Sequence, residues 1–344
     1  MSPLFPKDLL RRNASADLLK VFAIFSVVYI HGSSLIPVTM STFDFSSMTM
    51  SFIAHVFRFC VPVFIFLWAY FSEKSIIKSG KDTSIKRIYK LFLPFVFWSL
   101  VYFLYLGNFK ELNVSSAITK HWVGYGWSGQ YYFIILFQLI LLFGIVRKLT
   151  LFLLNYATII ILVSVVFYAV ISYSSWFEIG VVGKLSYRPF VYWLPYTVLG
   201  IIHAHKNIFK FKLPIAFALI SPILILIEIY SFHPILTNEY MLPSVFISTI
   251  LLVSLLQSKL TYENFPAWIS GSVLTIANST LGIFCLNPLV ILIVSPLLRQ
   301  VNHSLKGPGF SLLMPIISTI LILAFCILII KVIKKLKLGL LVSN

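Results

Sequence analysis

The sequence predicts an all-α polytopic membrane protein of about ten transmembrane helices, a single integral-membrane domain over residues 1–344 with both termini cytoplasmic. Three observations carry that expectation. Of the 344 residues, 59% are hydrophobic and only 11% charged, which excludes a soluble domain. Apolar runs of about 20 residues, the length that crosses a hydrocarbon core, recur from end to end. The 27 Lys and Arg are also shared unequally between alternate connections, as the positive-inside rule requires of an even number of spans.

The runs follow in order. The first, about 17–37, comes after Lys7, Arg11 and Arg12 and reads SADLLKVFAIFSVVYIHGSS over residues 15–34. Its basic start resembles a secretory leader, but no small-x-small cleavage site follows Ile30, so it should remain as the first helix. The second, about 50–71, holds Arg58 and Pro62 and enters the basic stretch 72–90; the third, about 91–107, contains Pro94. The fourth and fifth, about 129–146 and 151–172, are parted by Arg147 and Lys148. The sixth, about 189–204, is short and ends before Lys206, Lys210 and Lys212. Runs at about 212–232, 241–257, 275–297 and 311–333 complete the set, the last meeting a basic cluster at 331–337. With the N-terminus in the cytoplasm, the outer loops keep only Lys110, Lys120, Lys184, Arg188, Arg299 and Lys306. The net charge of +17 is therefore a topology signal, helped by anionic lipid, and no nucleic-acid partner is expected. No period-two alternation suggests an outer-membrane barrel, and no internal repeat is visible. Cys60, Cys285 and Cys326 sit within apolar runs without a CxxC pair and read as packing residues.

The polar residues inside these runs need a reason. Lys20 and His31 are eleven residues apart, which puts them on one helix face ~16 Å apart along the axis. Asp17 can pair with Lys20 at i, i+3. Ionisable groups at membrane depth cost several kcal/mol unless they face partners or a cavity, so this stripe should face the bundle interior. There His31 is either a structural imidazole bonded to a neighbouring helix or a chemically active one. Arg58 is a candidate substrate-binding residue by the same rule, with ion pairing or snorkelling as the alternative. His203 and His205, spaced by two and without Cys or carboxylate neighbours, fall on different helix faces, and no metal site is expected. The loop HWVGYGWSGQYY, 121–132, reads as an interfacial aromatic belt or as a sugar-stacking surface on the outer side. Glu178, in SSWFEIG, is a candidate hydrogen-bond partner for a sugar on that side.

These segments also resemble, in order, those of a known family. ADLLKVFAIFSVVYIHGSS is similar to the first helix of the acyltransferase 3 family, whose signature is a basic residue, ten residues, then His, met here by Lys20 and His31. FRFCVPVFIFLWAYF (57–71) resembles the family's second helix. IKRIYKLFLPFVFW (85–98) resembles its Arg-x-x-Arg motif and Pro-containing helix, with Arg87 and Lys90 in the basic positions. GQYYFIILFQLILLF (129–143) resembles the fourth helix, YWLPYTVLGI (192–201) the sixth and TLGIFCLNPLVIL (280–292) a late helix. The likeness is co-linear over roughly 12–295. Asn287 and Gln130 stand where many members have His, and Trp68-Ala69-Tyr70 replaces Ser-Gly-Tyr.

The resemblance implies an O-acyltransferase, most simply an O-acetyltransferase, of the bacterial inner membrane. It would take acetyl-CoA as donor substrate, with no permanently bound cofactor, and act on a hydroxyl of a surface polysaccharide or its lipid-linked precursor, as in O-antigen or capsule biosynthesis. Its partners would be acyl-CoA, a glycan or lipid-linked oligosaccharide, and membrane lipid. It makes His31 the catalytic residue, as general base or as acyl carrier. Lys20, Arg87 and Lys90 become phosphate contacts for CoA, the last two presented together at i, i+3. Gln130 and Asn287 become candidate acceptor-pocket residues. The alternative within the same family is a polysaccharide exporter that transfers no acyl group.

Overall fold

The computed structural model describes residues 12–35, 54–82, 84–106, 114–174, 187–206, 208, 215–232, 239–257, 260–304 and 308–342. Among them no strand occurs. The α-helices are α1 (Ala14–Leu35), α2 (Cys60–Ser79), α3 (Ser84–Leu106), α4 (Val114–Trp122), α5 (Tyr131–Phe152), α6 (Ala157–Ser172) and α7 (Leu194–His205). They continue with α8 (Ile215–Ile220), α9 (Ile223–Phe232), α10 (Pro243–Val253), α11 (Ala267–Ala277), α12 (Thr280–Ser304) and α13 (Pro308–Lys335).

Seven stretches of the described residues are long and apolar enough to cross a membrane: Ala14–Ser33, Ala54–Ser79, Lys86–Tyr105, Tyr131–Phe152, Leu154–Ser172, Thr280–Leu298 and Pro315–Lys335. The chain is thus an all-α integral membrane protein. The three other expected runs are helical but shorter or interrupted; that near 241–257 holds α10, of 11 residues, and a 3-10 turn over Ser254–Gln257. Near 189–204, Pro189 holds extended backbone and a 3-10 turn, Phe190–Trp193, precedes α7. Near 212–232 the helix breaks between α8 and α9 at Ser221-Pro222. Proline has no N–H for the carbonyl four residues back, that of Ala218. The Ser221 hydroxyl donates to that carbonyl instead at 2.7 Å, and Ser248 on α10 donates to the Ser221 carbonyl at 2.8 Å. The run expected near 275–297 starts later, because the chain turns at Asn278-Ser279 and α11 forms a separate helix before it.

α1 is the central helix. It packs against α2, α11, α12 and α13, and its apolar side chains Leu19, Ala23, Ile24, Val27 and Val28 are buried. α7 lies close along α2 because Gly200 presents no Cβ. A side chain there would meet the Phe66 carbonyl oxygen at 2.7 Å. Large apolar residues of α5 and α6, such as Leu141, Leu162, Val163 and Val166, are exposed. In water such a surface would be an aggregation site; facing lipid it is the solvent-matched one.

Polar side-chain contacts gather at the two ends of the bundle. At the end shared by the start of α1 and the end of α2, Glu73 is fully buried and accepts from Arg147 on α5 and pairs with His205 on α7, both at 2.7 Å. A buried carboxylate without such partners would cost several kcal/mol. At the opposite end Arg58 donates to Glu239 at 2.8 Å, and His55 lies 2.9 Å from the same carboxylate.

Candidate active site

Lys20 stands on the first turns of α1, where Asp17 organises a polar knot. Asp17 is almost fully buried and accepts from Arg12 at 2.5 Å, from the Tyr262 hydroxyl at 2.7 Å and from Lys20 at 3.2 Å. Arg12 also reaches the Asn278 side chain at 2.6 Å, so the knot ties α1 to the segments around α11. The carboxylate is shared between the two cations, with the shorter contact to Arg12. The Lys20 ammonium also lies over the Phe71 ring, 5.3 Å from the centroid.

Lys20, Arg87 and Lys90 all line one cavity of about 430 Å³. Arg87 is held by a hydrogen bond from its guanidinium to the Ser72 hydroxyl. The charge of Asp82 also acts on Arg87. The remaining wall is almost wholly apolar: Ile24, Phe64, Leu67, Trp68, Phe71, Leu91, Leu136, Leu281 and the rings of Tyr132 and Phe284. Cations gathered at an apolar chamber suit a ligand with an anionic head and a slender neutral arm.

His31 lies one ring beyond this cavity. Its imidazole centroid is 6.5 Å from that of Phe284, which itself meets Tyr132 at 5.3 Å. Phe284 is thus the partition between cavity and imidazole. His31 is nearly buried, and its Nδ1 is 2.6 Å from Oδ1 of Asn287 on α12. The loop before α5 covers the ring. Gly129 has φ +91°, and a Cβ there would come within 3.1 Å of His31 Cε1 and 3.0 Å of Phe284 Cζ. Only glycine suits both that backbone and that space.

Asn287 is positioned by the residue after it. Pro288 lies inside α12 and cannot donate to the Phe284 carbonyl. The Asn287 amide donates there at 2.8 Å and to the Ile283 carbonyl at 2.9 Å. The next rung is also opened: the Tyr102 hydroxyl on α3 accepts from the Leu289 N–H at 3.0 Å and donates to the Cys285 carbonyl at 2.7 Å. An unsatisfied buried backbone group costs about 1–3 kcal/mol, so these side chains make the break tolerable.

The other sequence candidates fall elsewhere. Arg58 lies near enough for its charge to act on His31 and sits 4.6 Å from the Tyr240 ring, among Tyr131 and Tyr187. Gln130 is engaged by protein: its amide oxygen accepts from the Gly126 N–H at 2.7 Å and its nitrogen donates to Ser99 at 2.7 Å, with His121 Nδ1 at 3.3 Å. It holds the 121–130 loop in shape. Burial, with Lys120 beside it, lowers the His121 basicity below the ordinary value. Glu178 lies outside the described residues. Sequence reasoning missed Phe284, Gly129 and Tyr102. Gly129 carried a weak signal, a glycine next to a helix start; the other two carried none.

A family model described as an acyltransferase domain, that of the acyltransferase 3 family, matches residues 13–331. No curated protein and no solved structure matches the chain.

Proposed function

The chain belongs to the acyltransferase 3 family, and on that premise we propose that it moves an acetyl group from cytoplasmic acetyl-CoA to a hydroxyl of a cell-surface polysaccharide or its lipid-linked precursor. On this reading it resides in a bacterial inner membrane, with the Lys20 end of α1 facing the cytoplasm. The observation that carries the proposal is the shared cavity: three cations from α1 and α3 line one chamber whose far wall, Phe284, packs on His31.

Lys20, Arg87 and Lys90 hold the phosphates of CoA at the cytoplasmic end. The apolar chamber takes the pantetheine arm, and Phe284 yields to admit the thioester. The span from Lys20 to His31, ~16 Å along α1, is within reach of such an arm. His31 removes the proton of the acceptor hydroxyl as its oxygen attacks the thioester carbonyl. The new C–O bond forms, the C–S bond breaks, and the leaving thiolate takes up the proton from the imidazolium. Arg58 and the Tyr131, Tyr187 and Tyr240 rings lie on the acceptor's side, where rings can stack on sugar faces.

The test is the O-acetyl content of the surface glycan, read by NMR with and without this gene, together with polymer yield. Loss of ester signals at unchanged yield is expected. Persistent esters would overturn the proposal, and a fall in yield with esters retained would favour the export reading.

A further inference from the structure

We propose that Asn287 is a positioning residue that fixes His31 in its Nδ1–H tautomer and thereby makes Nε2 the basic nitrogen of the ring. Pro288 sets the local geometry. Its missing N–H leaves the Phe284 carbonyl to be served by a side chain, and the Asn287 amide nitrogen serves it at 2.8 Å while also donating to the Ile283 carbonyl at 2.9 Å. Both of its protons are thus directed at carbonyl oxygens, which only accept. The opposite assignment of the amide would point its oxygen at two other oxygens, so the hydrogen-bond pattern leaves one choice. Oδ1 therefore faces His31, and an amide oxygen can only accept. At 2.6 Å from it, Nδ1 must carry the proton.

A neutral imidazole with Nδ1 protonated holds its lone pair on Nε2. Gly129 keeps the face beside Cε1 open, so the ring is not pushed out of this pose. Tyr102 completes the arrangement, because its hydroxyl bridges the opened rung one residue further along α12 and keeps the Asn287 turn from closing into regular helix. The helix break thus sets the protonation geometry of a residue 256 positions away in sequence. This inference rests on His31 acting as the base of acyl transfer, but the tautomer can be read without any turnover.

The experiment is 15N NMR of the full chain in detergent or bilayer, labelled at histidine, with the His31 ring assigned by its loss in His31→Ala. A protonated Nδ1 and an unprotonated Nε2 are expected for the wild type. Asn287→Leu, which keeps volume but accepts nothing, should give mixed tautomers and lower kcat by about ten- to a hundred-fold with the KM for acetyl-CoA unchanged. An Nε2–H signal in an active wild-type preparation would overturn the inference alone. So would Asn287→Leu with the wild-type tautomer and rate. Should that variant not insert, the wild-type spectrum decides by itself. An Nδ1–H signal in a protein that transfers no acyl group from acetyl-CoA would instead overturn the proposed function.

Discussion

Helix α1 and the stretch Leu154–Ser172, which contains α6, are both long enough to span a membrane, yet they are used in opposite ways. The span Ala14–Ser33 is 72% buried in the protein, whereas Leu154–Ser172 is only 17% buried. The buried one carries Asp17, Lys20 and His31; the lipid-facing one has no Asp, Glu, Lys, Arg or His. In water the more apolar helix would occupy the core. In lipid, apolar surface is already matched to its solvent, so the helix with polar groups needs the interior, where it can pair them. The difference shows where chemistry belongs in this fold.

The comparison can be broken first at His31. His31→Ala should lower acyl transfer by about 10²–10⁴-fold, the usual contribution of a general base, while the protein stays membrane-inserted and polymer yield is unchanged. Wild-type ester levels in the glycan of that variant would remove His31 from the mechanism. At the cationic end of the cavity, Arg87→Ala should raise the KM for acetyl-CoA about ten- to a hundred-fold, as expected for loss of a charge contact of about 1.5–3 kcal/mol. The KM for the acceptor should hardly move; equal changes in both would indicate a folding defect instead.

Gly129→Ala probes the cover over the ring. Its φ of +91° and the 3.1 Å approach to His31 make a methyl group displace the imidazole or the loop. A fall in kcat of about tenfold is expected, with acetyl-CoA binding retained, because Gly129 does not line the donor cavity. An unaltered kcat would show that the loop does not position His31. The smallest effect belongs to α6. Leu162→Val, on an exposed position, should change activity and thermal stability very little, since a lipid-facing methylene has no core partner to lose. A large destabilisation there would mean that this face is covered by something other than lipid.

Much of this contrast was legible in the sequence, and the reason is periodicity. Three polar residues at helical spacing in an apolar run have one low-cost arrangement, a stripe turned inward. The apolar runs likewise located the long helices, though not α4 or α11. Their lengths were less legible where proline intervened: Pro222 divides one run into α8 and α9, and apolarity alone does not register a missing N–H. The members of the candidate site could be named one by one but not as a constellation. Lys20, Arg87 and Lys90 could be named from motifs, while the cavity joining them depends on how α1, α2 and α3 pack. The Asn287–His31 bond joins positions 256 apart, and no local pattern announces it. Pro222 and Pro288 do share one readable device. In each, the residue just before the proline, Ser221 or Asn287, donates its side chain to the carbonyl that proline cannot serve. At Asn287 the same device leaves an oxygen facing the imidazole.

The central claim is that donor binding and chemistry are separate tasks at the two ends of one helix face. Equilibrium binding of radiolabelled CoA to purified protein tests it most directly. His31→Ala should bind CoA with wild-type affinity while transferring no acetyl group, and the double variant Arg87→Ala/Lys90→Ala should bind at least tenfold more weakly. Loss of CoA binding in His31→Ala, or undiminished binding without Arg87 and Lys90, would contradict it.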